Sequence, residues 1–266
     1  MTNHYQLTIV DQRPATTRLR WLTLRAPELA RSVRAGQYLL VRCAEQESYD
    51  PLLRRALFVA AAEESLEQIG LLYAPDDRGL TWLARGQAGD TLDVLGAFGK
   101  PFELDRRTRT LLLLGQGPPL AALVLLARQA AKRGVAPTLI AGANDPAMLP
   151  PPFLLPEDVE YQGLVGETIV DFTLPKLAGA TQSPSNLQSA ITWADQICAA
   201  LPLAQAASLR DIVRSTKLRW ERGFASVLLE SPLICGVGAC GVCAATLRQG
   251  TRLICAEGPV IDTRDL

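Results

Sequence analysis

Short apolar or alternating segments, each closed by a turn, fill the first hundred residues. Gln6–Val10, Arg18–Leu24, Tyr38–Cys43, Ala56–Ala60, Gln68–Leu72 and Thr91–Leu95 carry the two-residue period or continuous apolar run of β-strands. Gly79–Arg85 is the one helical candidate among them. Six strands with short connections predict a closed antiparallel barrel. The pattern then changes near residue 108. Leu111–Leu114 is a strand, Gly115-Gln116-Gly117 and a proline pair form a turn, and an Ala/Leu-rich helix runs from about Leu120 to Arg133. Ala136–Ala141 follows Gly134 as a second strand, giving a βαβ unit and a parallel sheet. Pro146 to Pro156 holds five prolines and reads as a loop, as does Thr181–Ser189. Thr168–Leu177 and Ala194–Leu201 read as short helices and Ser208–Arg219 as a longer one. With five glycines from Cys235 through Gly258, the last segment reads as a loop-built module. The expected fold class is β plus α/β: barrel over 1–104, α/β domain over 105–225, cysteine module over 226–266.

Composition narrows the chemistry. Lys and Arg total 27 and so do Asp and Glu, so no basic excess exists to hold nucleic acid or acidic lipid, and partners are expected to be proteins or small cofactors. Met1–Val10 carries no export pattern and no stretch reaches the ~20 apolar residues of a membrane span, so a cytoplasmic chain is expected. A reducing compartment leaves the six cysteines free for metals. Cys43 and Cys198 stand alone and read as core residues. The only histidine is His4, and no hydrolytic or acid–base constellation is present. A relay whose cofactors carry the chemistry fits this best.

The other four cysteines fall within 21 residues. Cys235, Cys240 and Cys243 have the spacing C-x4-C-x2-C, and Cys255 follows. A loop with two glycines between the first pair curls tightly enough to aim backbone N–H groups at sulfur, as plant-type [2Fe–2S] loops do. A four-cysteine zinc site is the competing reading, but such sites usually present two close pairs.

Residues 230–262, ESPLICGVGACGVCAATLRQGTRLICAEGPVID, resemble the cluster-binding end of dihydroorotate dehydrogenase electron-transfer subunits, members of the ferredoxin-reductase superfamily. The resemblance implies a six-stranded FAD-type barrel, a nucleotide-binding-like α/β domain that can meet NAD(H), and a [2Fe–2S] cluster. It also implies electron transfer to a separate FMN-bearing catalytic subunit in a hetero-oligomer of pyrimidine biosynthesis. Carried onto this chain, the flavin-binding strand is Arg54-Arg55-Ala56-Leu57-Phe58, with Arg55 near the FAD pyrophosphate and Leu57 beside the flavin. Phe58 stands where the family has a hydroxyl; the competing reading is a plain core strand. Arg78-Gly79-Leu80-Thr81 matches a Gly-Thr phosphate-binding pair with a leucine intruding, so Gly79 and Thr81 become candidates. Gly36-Gln37-Tyr38 matches a strand start. Gly115-Gln116-Gly117 looks like a shortened nicotinamide turn, which an ordinary strand-to-helix connection explains as well. The family's Cys-Gly-Pro element is absent from 194–202. These departures leave a second reading, a subunit that keeps the cluster but has lost flavin and nicotinamide.

Overall fold

The computed structural model describes residues 3–166, 169, 186–217 and 220–266. Strands β1 (Asn3–Pro14) and β2 (Arg20–Arg25), helix α1 (Pro27–Ser32), strands β3 (Tyr38–Val41), β4 (Arg55–Glu63) and β5 (Gln68–Tyr73), helix α2 (Arg78–Leu83) and strand β6 (Thr91–Phe98) build the first half. The strands close into a barrel in the order β1-β2-β5-β4-β3-β6, every pairing antiparallel. Period-2 patterning causes this: in β6, Leu92, Val94, Gly96 and Phe98 are buried while Asp93, Leu95 and Ala97 between them are only partly so. Gly70 makes room for the Trp21 ring, which a Cβ there would strike. All six expected strands are present. Helix α1 has no counterpart in the sequence reading; it starts at Pro27, whose fixed φ suits a first helical turn.

The second half runs through β7 (Thr110–Gln116), α3 (Leu120–Lys132), β8 (Ala136–Ala143), β9 (Glu160–Val165), α4 (Leu187–Trp193), β10 (Gln196–Leu201), α5 (Leu203–Thr216) and β11 (Ala225–Leu229). Then come β12 (Ala244–Leu247), β13 (Gly250–Leu253), α6 (Ile254–Glu257) and β14 (Val260–Asp262). Six strands form one sheet in the order β14-β11-β10-β7-β8-β9, parallel except for β14. Helix α3 is buried continuously from Leu120 to Ala127 because one face packs on the sheet and the other on barrel strand β4. A helix apolar all round is a helix covered all round.

Three expectations need correction. Ala194–Leu201 is not a helix: Gln196–Leu201 is strand β10, wholly buried between β7 and β11. A strand covered on both faces reads as an unbroken apolar run, and its alanines mimic helix propensity. The helix lies just upstream, where Asn186 and Ser189 form a reciprocal cap for α4, inside the stretch read as loop. The long helix begins at Leu203 rather than Ser208. Finally, the cysteine segment is not only loop: β12 and β13 form a hairpin, and β14 returns into the central sheet against β11. The expected helix over Thr168–Leu177 lies outside the described residues apart from Ile169.

Candidate functional site

The cysteine loop leaves the sheet after β11 and curls through three left-handed glycines, Gly236 (φ +73°), Gly238 (φ +75°) and Gly241 (φ +73°). That winding turns amides inward. Gly238 N–H donates to Cys255 Sγ at 3.2 Å and Cys255 N–H to Cys243 Sγ at 3.4 Å. The amides of Cys240, Val237 and Ala239 face Cys235, and the Cys240 amide contributes most to lowering that thiol to about 6. Burial, reinforced by the neighbouring Cys243 side chain, pushes Cys255 up to about 12. Cys235 and Cys255 Sγ lie 4.0 Å apart, Cys240 adjoins Cys235, and Cys243 adjoins Cys255. The four predicted ligands are therefore brought together, with Cys243 and Cys255 buried and Cys240 exposed. The thiols are neighbours in pairs along the loop, and among the described residues no three of them, nor any other three acidic, thiol or imidazole groups, close onto one point as a set for a single metal ion. Cys43 and Cys198 lie in the core, fully buried, and burial pushes Cys43 up to about 12.

Four neighbouring thiols, three of them with amides aimed at their sulfurs, suit an anionic iron–sulfur group. Stacking four thiolates without a cationic core is unfavourable, and the desolvated Cys255 shows that cost. Beneath the loop, Gly236 packs on the Phe98 ring, where a Cβ would come within 2.8 Å. Phe98 meets Tyr38 at a centroid distance of 5.7 Å, and Tyr38 meets Phe58 at 5.8 Å. The buried Tyr38 hydroxyl lies 3.5 Å from the Cys255 carbonyl.

Phe58 forms part of the wall of a cavity of about 460 Å³ between barrel and sheet. Arg55, Leu57, Asp77 and Leu80 line its barrel side, and Gln116, Gly117, Ala143 and Asn144 its sheet side. Arg55 and Leu57, expected at a flavin, thus line this cavity. Gly79 is buried under the Arg55 guanidinium, whose carbon lies 3.0 Å from a Cβ position there. Thr81 is turned away, its hydroxyl donating to the Pro75 carbonyl at 3.2 Å. Asp77, which the sequence reading passed over, accepts from Arg55 Nε at 2.7 Å. The cavity, its apolar walls and the cationic Arg55 fit a flavin, with the carboxylate of Asp77 on Arg55 a discordant group.

At the carboxyl end of the central strand β7, a Cβ on Gly115 would run into Leu120 and Leu123, so helix packing alone accounts for that glycine. Gly117 (φ +74°) lines the cavity, with the Glu230 carboxylate 3.5 Å from its Cβ position. This turn lies between β7 and β10, where the strand order reverses, the usual crevice for a nucleotide in an open α/β sheet.

Residues 230–266 match the model for the iron–sulfur cluster binding domain of dihydroorotate dehydrogenase B. The chain is 30% identical over 265 residues to the dihydroorotate dehydrogenase B (NAD(+)) electron transfer subunit of Bacillus caldolyticus, covering 98% of this chain and 97% of that protein. It is 29% identical over 267 residues to that of Geobacillus thermodenitrificans, again covering 98% and 97%. The structure of an NADH-dependent reduced ferredoxin–NADP oxidoreductase superposes with a TM-score of 0.69 at 18% identity, over 98% of this chain and 89% of that one. A ferredoxin reductase of carbazole 1,9a-dioxygenase superposes at 0.60 with 19% identity, over 82% and 65%. The two structures share the ferredoxin-reductase-like fold. Because the sequence identity runs from barrel to cysteine loop without a break in coverage, the chain belongs to the family of dihydroorotate dehydrogenase B electron transfer subunits.

Proposed function

We propose that this chain passes electrons between NAD(H) and a separate FMN-bearing dihydroorotate dehydrogenase subunit in pyrimidine biosynthesis, with Cys235, Cys240, Cys243 and Cys255 as ligands of a [2Fe–2S] cluster. The observation that carries the reading is the loop itself, four thiols gathered around inward-facing amides. When bound, a flavin exchanges electron pairs with a nicotinamide and a cluster exchanges single electrons with a partner. The chain's own residues do the positioning. Arg55 and Leu57 bound the flavin cavity on one side, Gly117 leaves room for a nicotinamide on the other, and Tyr38 and Phe98 support the cysteine loop between them. The division at 1–104, 105–225 and 226–266 suits these three tasks, with β14 tying the third into the sheet of the second. No described helix is long and apolar enough to cross a membrane, and we place the complex in the cytoplasm.

A cluster-only subunit is the second reading, favoured by the carboxylate of Asp77 on Arg55 and by the buried ring of Phe58. Anaerobic purification decides between them. Flavin bands with iron and acid-labile sulfide in equal amounts support the relay, iron and sulfide alone support the second reading, and a colourless zinc protein overturns both. Cys240→Ser should remove the paramagnetic signal of the reduced protein, because a hydroxyl ligates iron poorly beside thiolate. Cys43→Ala and Cys198→Ala should keep full iron, since both side chains sit in the core away from the loop.

A further inference from the structure

The lip of the flavin cavity is already neutralised by the protein itself. Asp77 Oδ2 accepts from Arg55 Nε at 2.7 Å, Oδ1 accepts from the Leu80 amide at 2.9 Å, and the Gly79 amide donates to the same carboxylate. Arg55 Nη1 is engaged with the Leu53 carbonyl at 2.5 Å. The flanking arginines are spoken for as well. Arg54 Nη2 meets Asp93 Oδ2 at 2.8 Å, and Arg78 Nη1 meets Asp50 Oδ2 at 2.7 Å. A second carboxylate, Asp76, lines the same cavity. Arg55 and the Gly79 amide, the donors that suit a flavin's pyrophosphate, therefore already serve an internal anion. The Arg55 side chain is 23% exposed and that of Asp77 41%, so water screens the pair only in part. Two anions at contact distance on one guanidinium repel each other.

We infer that Asp77 is a specificity-determining residue of the flavin cavity: it competes with the ligand's pyrophosphate for Arg55, and FAD enters only by exchanging one anion for the other. This rests on the reading of the cavity as the flavin site. Its consequence is selective. The penalty falls on the phosphates of FAD and not on the isoalloxazine, so a flavin without phosphate escapes it.

Asp77→Asn isolates the charge. Asparagine keeps an oxygen for the Leu80 amide and is as good a helix cap as aspartate, so α2 stays in place. The full-length protein, stripped of flavin with its cluster retained, is titrated with FAD and with riboflavin at low and high salt. FAD affinity of Asp77→Asn should exceed that of the parent by about tenfold at low salt, with a smaller gain at high salt. Riboflavin affinity should be unchanged, and Arg55→Ala in the same background should abolish the gain. Unaltered iron content in each variant shows that the fold is intact. Equal or weaker FAD binding by Asp77→Asn overturns the inference while leaving the flavin site standing, since Asp77 would then merely orient Arg55. An equal gain for riboflavin overturns it too, because the effect would be steric. Failure of every variant to bind either flavin removes the cavity assignment along with it.

Discussion

At the scale of single residues, the cysteines and glycines of the loop divide by what surrounds them. Gly236 and Gly241 share the same left-handed φ of +73°, so alanine at either pays the same backbone strain, ~1–2 kcal/mol. Their space differs. A Cβ on Gly236 meets the Phe98 ring at 2.8–3.0 Å, whereas a Cβ on Gly241 meets nothing within 4 Å. Gly236→Ala should therefore lower iron content markedly by lifting the loop off Phe98, while Gly241→Ala should keep most of its iron; iron analysis of the two purified variants checks this. The thiol set was legible in the sequence because ligands for one loop are local, and spacing alone brings them together. Asp77 was not legible. Its partner Arg55 is 22 positions away at the start of β4, and only the fold of the barrel puts the two side chains 2.7 Å apart. Phe58 was legible as a bulky departure from the family, but its packing on Tyr38, and through Phe98 on the cysteine loop, depends on three separate strands.

At the scale of elements, periodicity served the barrel well and failed in the sheet. Strands with one wet face announce themselves by alternation, as β1 and β6 do, whereas β3, β4 and β5 were legible as short apolar runs between turns. Strand β10 has two dry faces, and its Ile-Cys-Ala-Ala-Leu run offers no alternation to read. Edge strand β9 and returning strand β14 were missed because short segments after prolines or glycines carry weak signals. Yet the start of β10 holds one polar residue whose role is structural. Gln196 is 2% exposed; its Oε1 accepts from the Asp105 amide and the Thr108 hydroxyl, and its Nε2 donates to the Glu103 and Gly223 carbonyls. It thus fastens the barrel-to-sheet connection to the head of β11. Gln196→Ala leaves the buried Thr108 hydroxyl without its partner, at about 1–3 kcal/mol, while the Glu103, Asp105 and Gly223 groups belong to exposed residues. Its denaturant midpoint should fall accordingly with little change in slope. A midpoint equal to the parent's would mean that water replaces the amide.

At the scale of the whole molecule, the cysteine segment is a keystone between barrel and sheet rather than an appendage. It leaves from β11 and comes back as β14 beside the same strand. On the return, Pro259 fills the space above Gly99, Val260 packs against Gly36, and the Lys100 amide donates to the Gly258 carbonyl. Barrel, sheet and loop therefore share one set of contacts, and ordering the loop orders all three. A group that binds only the folded loop stabilises the native state of everything coupled to it. Stripping the cluster should then lower a single unfolding midpoint, by roughly 2–4 °C for each kcal/mol of lost binding energy. The four tryptophans report on both halves: Trp21 and Trp82 lie in β2 and α2, Trp193 lies in α4, and Trp220 precedes β11. Fluorescence of variants keeping only the barrel pair or only the sheet pair should shift together when iron is removed. If the barrel pair melts at an unchanged temperature while the sheet pair melts earlier, the contacts at Gly36, Gly99 and Lys100 do not couple the halves, and the loop answers to the sheet alone.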